Sequence, residues 1–144
     1  MTCMYRLSWF AVVGITLSLA AGASAADVVA VVSSTSAVTT LSKAQLTDIF
    51  LGKVNRFPDG TLAIPIDQEE GSSARDEFYA TFAGKSSAQI KSHWAKIIFT
   101  GRGQPPKVAS NDVDIRKLIV ANPQAISYIE RSAVDKSVKV LLQP

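Results

Sequence analysis

The short motif Gly71-Ser72-Ser73 contains the groups in this chain that are best suited to binding a ligand. Before it, Ile64 and Ile66 alternate with other residues, as in a strand. After it, apolar residues recur at every fourth position over 74–82, as in a helix. The motif therefore lies where a strand turns into a helix. Its glycine can adopt backbone angles that other residues avoid, and its hydroxyls can accept hydrogen bonds from the first N–H groups of the helix.

A strand-to-helix corner of this kind can hold a small anion. The first N–H groups of a helix have no partner inside the helix, and the helix dipole places partial positive charge at the same point. A second interpretation stays open, in which Ser72 and Ser73 only cap the helix. Arg75 either turns toward the same anion or forms a surface ion pair. The acids near it in sequence are Glu69, Glu70, Asp76 and Glu77.

Residues 1–25 have the pattern of a secretory signal peptide. One positive charge at Arg6 is followed by an apolar run over 7–21 and by Ala23-Ser24-Ala25, the small-x-small sequence that precedes cleavage. Cleavage there leaves 144 − 25 = 119 residues, which suffice for one domain, 26–144, and are too few for two. The apolar run is short for a membrane anchor, although an uncleaved signal anchor is the alternative.

The composition argues against several classes of function. The only cysteine, Cys3, lies in the predicted leader, so the mature chain has no disulfide and no lipid-anchoring cysteine, which favours the periplasm. His93 is the only histidine and leaves no pair for a metal site or a catalytic relay. We predict no cofactor, no metal and no enzymatic activity. Without Arg6 the chain has 15 − 1 = 14 basic and 12 acidic residues in no basic run, which argues against nucleic acid.

Hydrophobic periodicity predicts an α/β fold. The unbroken apolar run 28–32 is typical of a strand covered on both faces, as in a parallel sheet. The order β-α-β-α-α-β-α-β-β favours a single three-layer domain with a mainly parallel sheet and with ligands at the carboxyl ends of its strands. Further strands are predicted before Gly71 and at 107–109, 125–129 and 137–142. Helices are predicted over 43–51, from the corner to Gly84, from Ser86 or Ser87, and from Asn111 or Asp112 to Asn122.

Three segments resemble the phosphate-binding subunit of bacterial phosphate ABC transporters, a two-lobed periplasmic binding protein. They are VVAVVSSTSAVTTLSKAQLTDIFLGK, IPIDQEEGSSARDEF and NPQAISYIE, which agree in order and spacing over roughly 28–140. The resemblance implies one lobe of a type II periplasmic binding protein and non-catalytic binding of inorganic phosphate. It carries over the Ser72 hydroxyl and the N–H groups of 73–75. The predicted ligand-binding residues are Gly71, Ser72, Ser73, Ala74 and Arg75.

Two departures from the family pattern bear on affinity. Gln68 stands where the family has its phosphate-pairing arginine, so the guanidinium fork that would bind phosphate in a bidentate way is lost. Ser73 stands where the family has a second glycine, and Ala74 where it has a threonine. The family segment that builds most of the second lobe is also not expected, because a leader precedes the domain. A single lobe cannot close around an anion and exclude water. Glu69 and Glu70 would repel a dianion, and weak binding is expected.

Two hypotheses follow. The first is an exported non-catalytic binding protein for phosphate or a similar small oxyanion, which is related to phosphate transport and contacts a transporter or another periplasmic protein. The alternative is a ligand-free periplasmic interaction module, derived from a binding-protein lobe, that docks to a partner or forms a homodimer. Exposed loops at 57–60 and in TGRGQPP, residues 100–106, would supply its contacts. The missing arginine favours the module, and the retained corner favours the binding protein.

Overall fold

The computed structural model describes residues 27–144, and the predicted signal peptide lies outside them. The strands are β1 (Val28–Ser33), β2 (Ile64–Gln68), β3 (Lys107–Ala109), β4 (Ala125–Glu130) and β5 (Val138–Leu142). The α-helices are α1 (Lys43–Phe50), α2 (Ser73–Phe78), α3 (Ser87–Phe99) and α4 (Asp112–Ala121). The helix predicted to reach Gly84 is α-helical only as far as Phe78 and continues as a π-helical turn (Tyr79–Ala83). Within 27–144, no helix is long and apolar enough to cross a membrane.

The strands form one open sheet in the order β3-β2-β4-β1-β5. β2 pairs in parallel with β3 and β4, whereas β1 is antiparallel to β4 and to β5. Of the five strands in the described part of the chain, four therefore share one direction and β1 runs the other way. The sheet is mixed, and the apolar run at β1 does not form the parallel strand that its pattern suggested. An unbroken apolar stretch indicates that both faces of a strand are covered, and it does not indicate the direction of the strand.

The alternating residues of β1 divide the core between the two faces of the sheet. Val28, Ala30 and Val32 pack into a cluster that includes side chains of α1, α2 and α3. Val29 and Val31 pack on the other face, with side chains of α4. The result is the predicted stack of three layers, with helices on both sides of the sheet.

The helices begin at the predicted cap residues. Ser42 accepts a hydrogen bond from the Gln45 N–H at 3.1 Å, and the Gln45 side chain accepts one from the Ser42 N–H at 2.9 Å. Ser86 and Gln89 form the same capping box at α3. Asn111 caps α4. Ser86 and Asn111 are therefore the correct members of the two predicted pairs.

Two glycines with similar backbone angles test the packing around α3. Gly52 has φ of +72°, and a Cβ there would lie 2.7 Å from Cη2 of Trp94, whereas Gly60 has φ of +87° and nothing within 4 Å of its Cβ position. Both Gly52→Ala and Gly60→Ala should bear the left-handed backbone cost of about 1–2 kcal/mol. Gly52→Ala should lose about 1–3 kcal/mol more because its methyl group clashes with the indole. Urea unfolding measures the difference, and equal losses would contradict the packing of Trp94 against Gly52.

Candidate functional site

The predicted corner joins the carboxyl end of β2 to α2. Gly71 has φ of +92°, a left-handed conformation that favours glycine. Ser72 is the N-cap of α2. Its N–H donates to the Glu69 carbonyl at 3.1 Å, and its Oγ accepts from the Arg75 N–H at 3.2 Å. Ser72 therefore caps α2, as its position before the helix predicts.

Two backbone N–H groups at the corner are unpaired within the described part of the chain. Ser73 and Ala74 are the first two residues of α2, and their N–H groups have no acceptor within residues 27–144. Ser73 is exposed, whereas Ala74 is buried. Because α2 has only 6 residues, these groups act as two local donors rather than as the end of a long helix dipole.

The Arg75 side chain turns into the protein. The residue is 9% exposed, and its Nε donates to Oδ2 of Asp67 across 3.4 Å. The guanidinium also lies over the Tyr79 ring, 5.3 Å from the ring centroid. The surface ion pair predicted for Arg75 is therefore wrong, because the side chain pairs with a buried carboxylate. What Arg75 contributes to the corner is its backbone N–H, which Ser72 already accepts.

The Asp67 carboxylate is the centre of a buried polar network between the sheet and α2. Asp67 is 3% exposed. The Tyr79 hydroxyl donates to Oδ2 at 2.7 Å, and the Tyr128 hydroxyl and the Gln68 N–H donate to Oδ1, the latter at 2.8 Å. Together with Arg75, these donors satisfy a charge that would otherwise be costly to bury. The network ties β2, β4 and the helical segment 73–83 together directly beneath the corner.

The ionisation of the network follows from its burial. Burial raises the pKa of Tyr79 and the pKa of Tyr128, and the negative charge of Asp67 raises both further. Both hydroxyls therefore stay protonated as donors to the carboxylate. Burial alone would lower the pKa of Arg75, but the Asp67 carboxylate reverses this effect and raises it. Arg75 is thus a fixed cation that is matched to Asp67.

Gln68 points to the opposite face of the sheet from Asp67 and is also committed within the chain. Its Nε2 donates to Oδ1 of Asp112 at 3.0 Å and to the Tyr128 carbonyl at 3.3 Å. Its Oε1 lies 3.5 Å from the Ser72 hydroxyl. The residue that replaces the family arginine therefore connects β2 to the start of α4 and does not offer a free donor to the corner.

The two acids beside the corner have partners of their own. Glu69 accepts a hydrogen bond from the Ser110 hydroxyl at 3.0 Å. Glu70 forms an exposed ion pair with Lys91 at 3.2 Å. These contacts direct both carboxylates to neighbouring elements, and only Glu70 has a cationic partner.

Sequence reasoning did not single out Asp67, Tyr79 or Tyr128. A signal for a buried carboxylate was present. Asp67 follows Ile66 in the strand, so the two side chains lie on opposite faces of it. Both side chains are buried, because both faces of the strand are covered. A carboxylate at such a position requires buried donors. What the sequence did not reveal is which donors the fold brings there, since Tyr128 comes from a strand 61 positions away.

Possible metal ligands are scattered in the described part of the chain. No group of three or more histidine, cysteine, aspartate or glutamate side chains within 27–144 is arranged to hold a metal ion. His93 contacts the Leu51 carbonyl through Nε2 at 2.8 Å, which is a packing role. The corner itself presents hydrogen-bond donors at a strand-to-helix junction.

Comparison with known proteins shows the fold. No protein-family profile matches the sequence, and no curated protein matches it. A protein described as a phosphate ABC transporter substrate-binding protein, with bound phosphate, from Clostridium perfringens has the same fold, with a TM-score of 0.62 and 24% identity. An ABC-type phosphate transport receptor from Vibrio cholerae has a TM-score of 0.63 and 22% identity. PstS from Borrelia burgdorferi has a TM-score of 0.60 and 12% identity.

The similarity covers 80% of this chain and 44%, 45% and 46% of the three other chains, in the same order. The chain therefore spans less than half the length of each of these proteins. At these identities the comparison confirms the fold that the sequence resemblance implied, a substrate-binding-protein fold with a single open sheet. These neighbours are named for binding and transport, not for catalysis.

The buried carboxylate can be tested by removing its charge. Asp67→Asn leaves the Arg75 guanidinium buried without a counter-charge, and we expect a loss of about 3–5 kcal/mol in the free energy of unfolding. Asp76→Asn, an exposed change on the same helix, is the matched control and should stay within about 0.5 kcal/mol of the wild type. Urea unfolding followed by circular dichroism measures both. Equal stability of Asp67→Asn and the control would contradict the network.

The raised pKa values of the two buried tyrosines predict a loss of stability in alkali. Their stabilising contribution is fully present below pH of about 10, the ordinary pKa of tyrosine. Above it the unfolded chain releases phenolic protons that the native state retains, so the free energy of unfolding falls by about 1.4 kcal/mol per pH unit for each tyrosine. Tyr79→Phe and Tyr128→Phe should each reduce the slope of the free energy of unfolding against pH. Lysines titrate in the same pH range, but they are the same in the variants and the wild type, so their contribution cancels in the comparison. An unchanged slope in both variants would show that the hydroxyls are not buried donors.

Proposed function

We propose, on the premise of a fold shared with phosphate-transport proteins, that this chain is an exported, non-catalytic binding protein for phosphate or a similar small oxyanion. The observation that carries the proposal is the pair of free N–H groups of Ser73 and Ala74 at the carboxyl end of β2. Ligands of open α/β sheets bind at that end of the strands. Export and a periplasmic location are supported by the leader sequence of residues 1–25.

The corner would hold the anion mainly through its backbone. The N–H groups of Ser73 and Ala74 donate to the oxygens, and the left-handed Gly71 carries no side chain that would block their approach. The Ser73 hydroxyl is exposed and can donate as well. The Ser72 hydroxyl proton has only a long 3.5 Å contact with Gln68, so it can turn to the ligand while Oγ keeps its capping bond.

The electrostatics of the corner favour modest affinity. The Arg75 guanidinium is buried and paired with Asp67 through Nε, although its buried Nη1 has no partner in the described residues, and the Gln68 amide is bonded inside the chain. Neither side chain supplies a bidentate fork at the surface of the corner. Glu69 and Glu70 stay close, although each has its own partner. Neutral backbone donors at an open surface therefore supply most of the binding free energy.

A second function, the ligand-free interaction module, is favoured by a different observation. Phe99 at the end of α3 is 93% exposed, and its neighbour Ile98 is 55% exposed. They lead directly into the predicted contact loop 100–106. The other predicted contact segment, 57–60, is not fully exposed, because Phe57 is buried in the core. The partner would be a transporter, another periplasmic protein or a second copy in a homodimer.

A proline substitution separates backbone binding from hydroxyl binding. Ser73 is the first residue of α2, where proline fits, and Ser72 already has the extended conformation that precedes proline. Ser73→Pro removes one N–H group and one hydroxyl, whereas the control Ser73→Ala removes only the hydroxyl. We expect Ser73→Pro to bind phosphate about 10- to 100-fold more weakly than Ser73→Ala, the effect of losing a hydrogen bond to a charged group.

Isothermal titration calorimetry of phosphate-stripped protein measures this comparison, with circular dichroism to show that the helix persists. Equal phosphate affinity of Ser73→Pro and Ser73→Ala would contradict the backbone site. Absence of any heat with the wild type up to millimolar phosphate would contradict phosphate binding and favour the interaction module.

A further inference from the structure

A cavity of about 350 Å³ lies at the amino-terminal end of β2, away from the corner. Its walls come from the end of α1, the loop after it, the start of β2, α3 and the segment that precedes β3. The volume is within the range of small-molecule sites. The residues that matter for its chemistry are Ile49, Val54, Asn55, Trp94, Gln104 and Lys107.

Trp94 lines this cavity as an aromatic side chain. The residue is 7% exposed, and its indole N–H is buried without an acceptor in residues 27–144. The ring itself is well fixed, because it packs edge-on against His93 with centroids 5.2 Å apart and closely against Gly52. The cavity therefore has a fixed aromatic residue in its wall.

The charge of the cavity wall defines the ligand further. Among the described residues that line the cavity, Lys107 is the one with a charge, and none is an acid. Lys107 forms no ion pair with any residue of the described chain. The amides of Asn55 and Gln104 add polar groups at the wall, and the remaining lining is mostly aliphatic or proline. A ligand with a flat apolar body and one negative charge matches this combination.

We propose that this cavity is a second binding site, separate from the corner, for a small aromatic carboxylate. The ring of the ligand packs against the Trp94 indole and the aliphatic wall, and its carboxylate is paired with Lys107. Inorganic phosphate has no apolar part and is not a ligand of this site.

Naphthoate is a suitable probe, and the full chain can be used. The sequence has 2 tryptophans, so Trp9→Phe identifies the indole N–H signal of Trp94 in heteronuclear NMR spectra. We expect a saturable shift of that signal with naphthoate and none with phosphate. Lys107→Gln should weaken naphthoate binding by about two- to fivefold. Lys136→Gln, an exposed lysine outside the cavity, is the matched control and should leave it unchanged.

A filling variant and a neutral ligand complete the test. Val54 is a half-exposed wall residue, so Val54→Trp should occupy the cavity and abolish naphthoate binding while the melting temperature is kept. To the wild type, neutral naphthalenemethanol should bind more weakly than naphthoate. To Lys107→Gln, the two compounds should bind equally well. The proposal is overturned if the Trp94 signal does not move, if Val54→Trp still binds naphthoate, or if Lys107→Gln and Lys136→Gln behave alike.

Discussion

The buried carboxylate of Asp67 is the group on which the arrangement of the corner depends. It places a negative charge between the sheet and α2, where only a full set of donors makes it tolerable. Arg75 in α2, Tyr79 in the π-helical turn and Tyr128 in β4 supply those donors. Because each donor belongs to a different element, satisfying one charge fixes the end of β2 against its neighbours. The Phe78 ring, stacked on Tyr128 with centroids 4.0 Å apart, adds apolar contact to the same junction.

This constraint determines what the corner can offer to a ligand. The arginine nearest to the corner in sequence is used as a counter-charge inside the protein, and the glutamine at the end of β2 is used to hold α4. The corner is left with backbone N–H groups and serine hydroxyls. Such donors bind an anion by geometry rather than by opposite charge, which agrees with a site of modest affinity. The similarity to the solved proteins that share the fold covers 80% of this chain and less than half of each of theirs.

Much of the fold could be predicted from local patterns, and much of the site could not. Alternation in 64–66, the four-residue spacing after Ser73 and the cap residues at 42, 86 and 111 each depend on neighbours in sequence, and the structure has the corresponding elements. The direction of β1 depends on which strands lie beside it, and an apolar run carries no information about that. The orientation of Arg75 was missed for a related reason. Four acids lie near it in sequence, but the carboxylate that it contacts is on the strand before the corner.

The most direct test of this account follows the backbone amides during a phosphate titration of the full chain by heteronuclear NMR. The account predicts saturable shifts that are largest for the N–H groups of Ser73 and Ala74, with smaller shifts at Gly71 and Ser72 and none at the Trp94 indole. Signals at the corner that stay unchanged up to millimolar phosphate would contradict it. Shifts spread over the exposed lysines would contradict it as well, because they would mean that phosphate binds through surface charge and not at the corner.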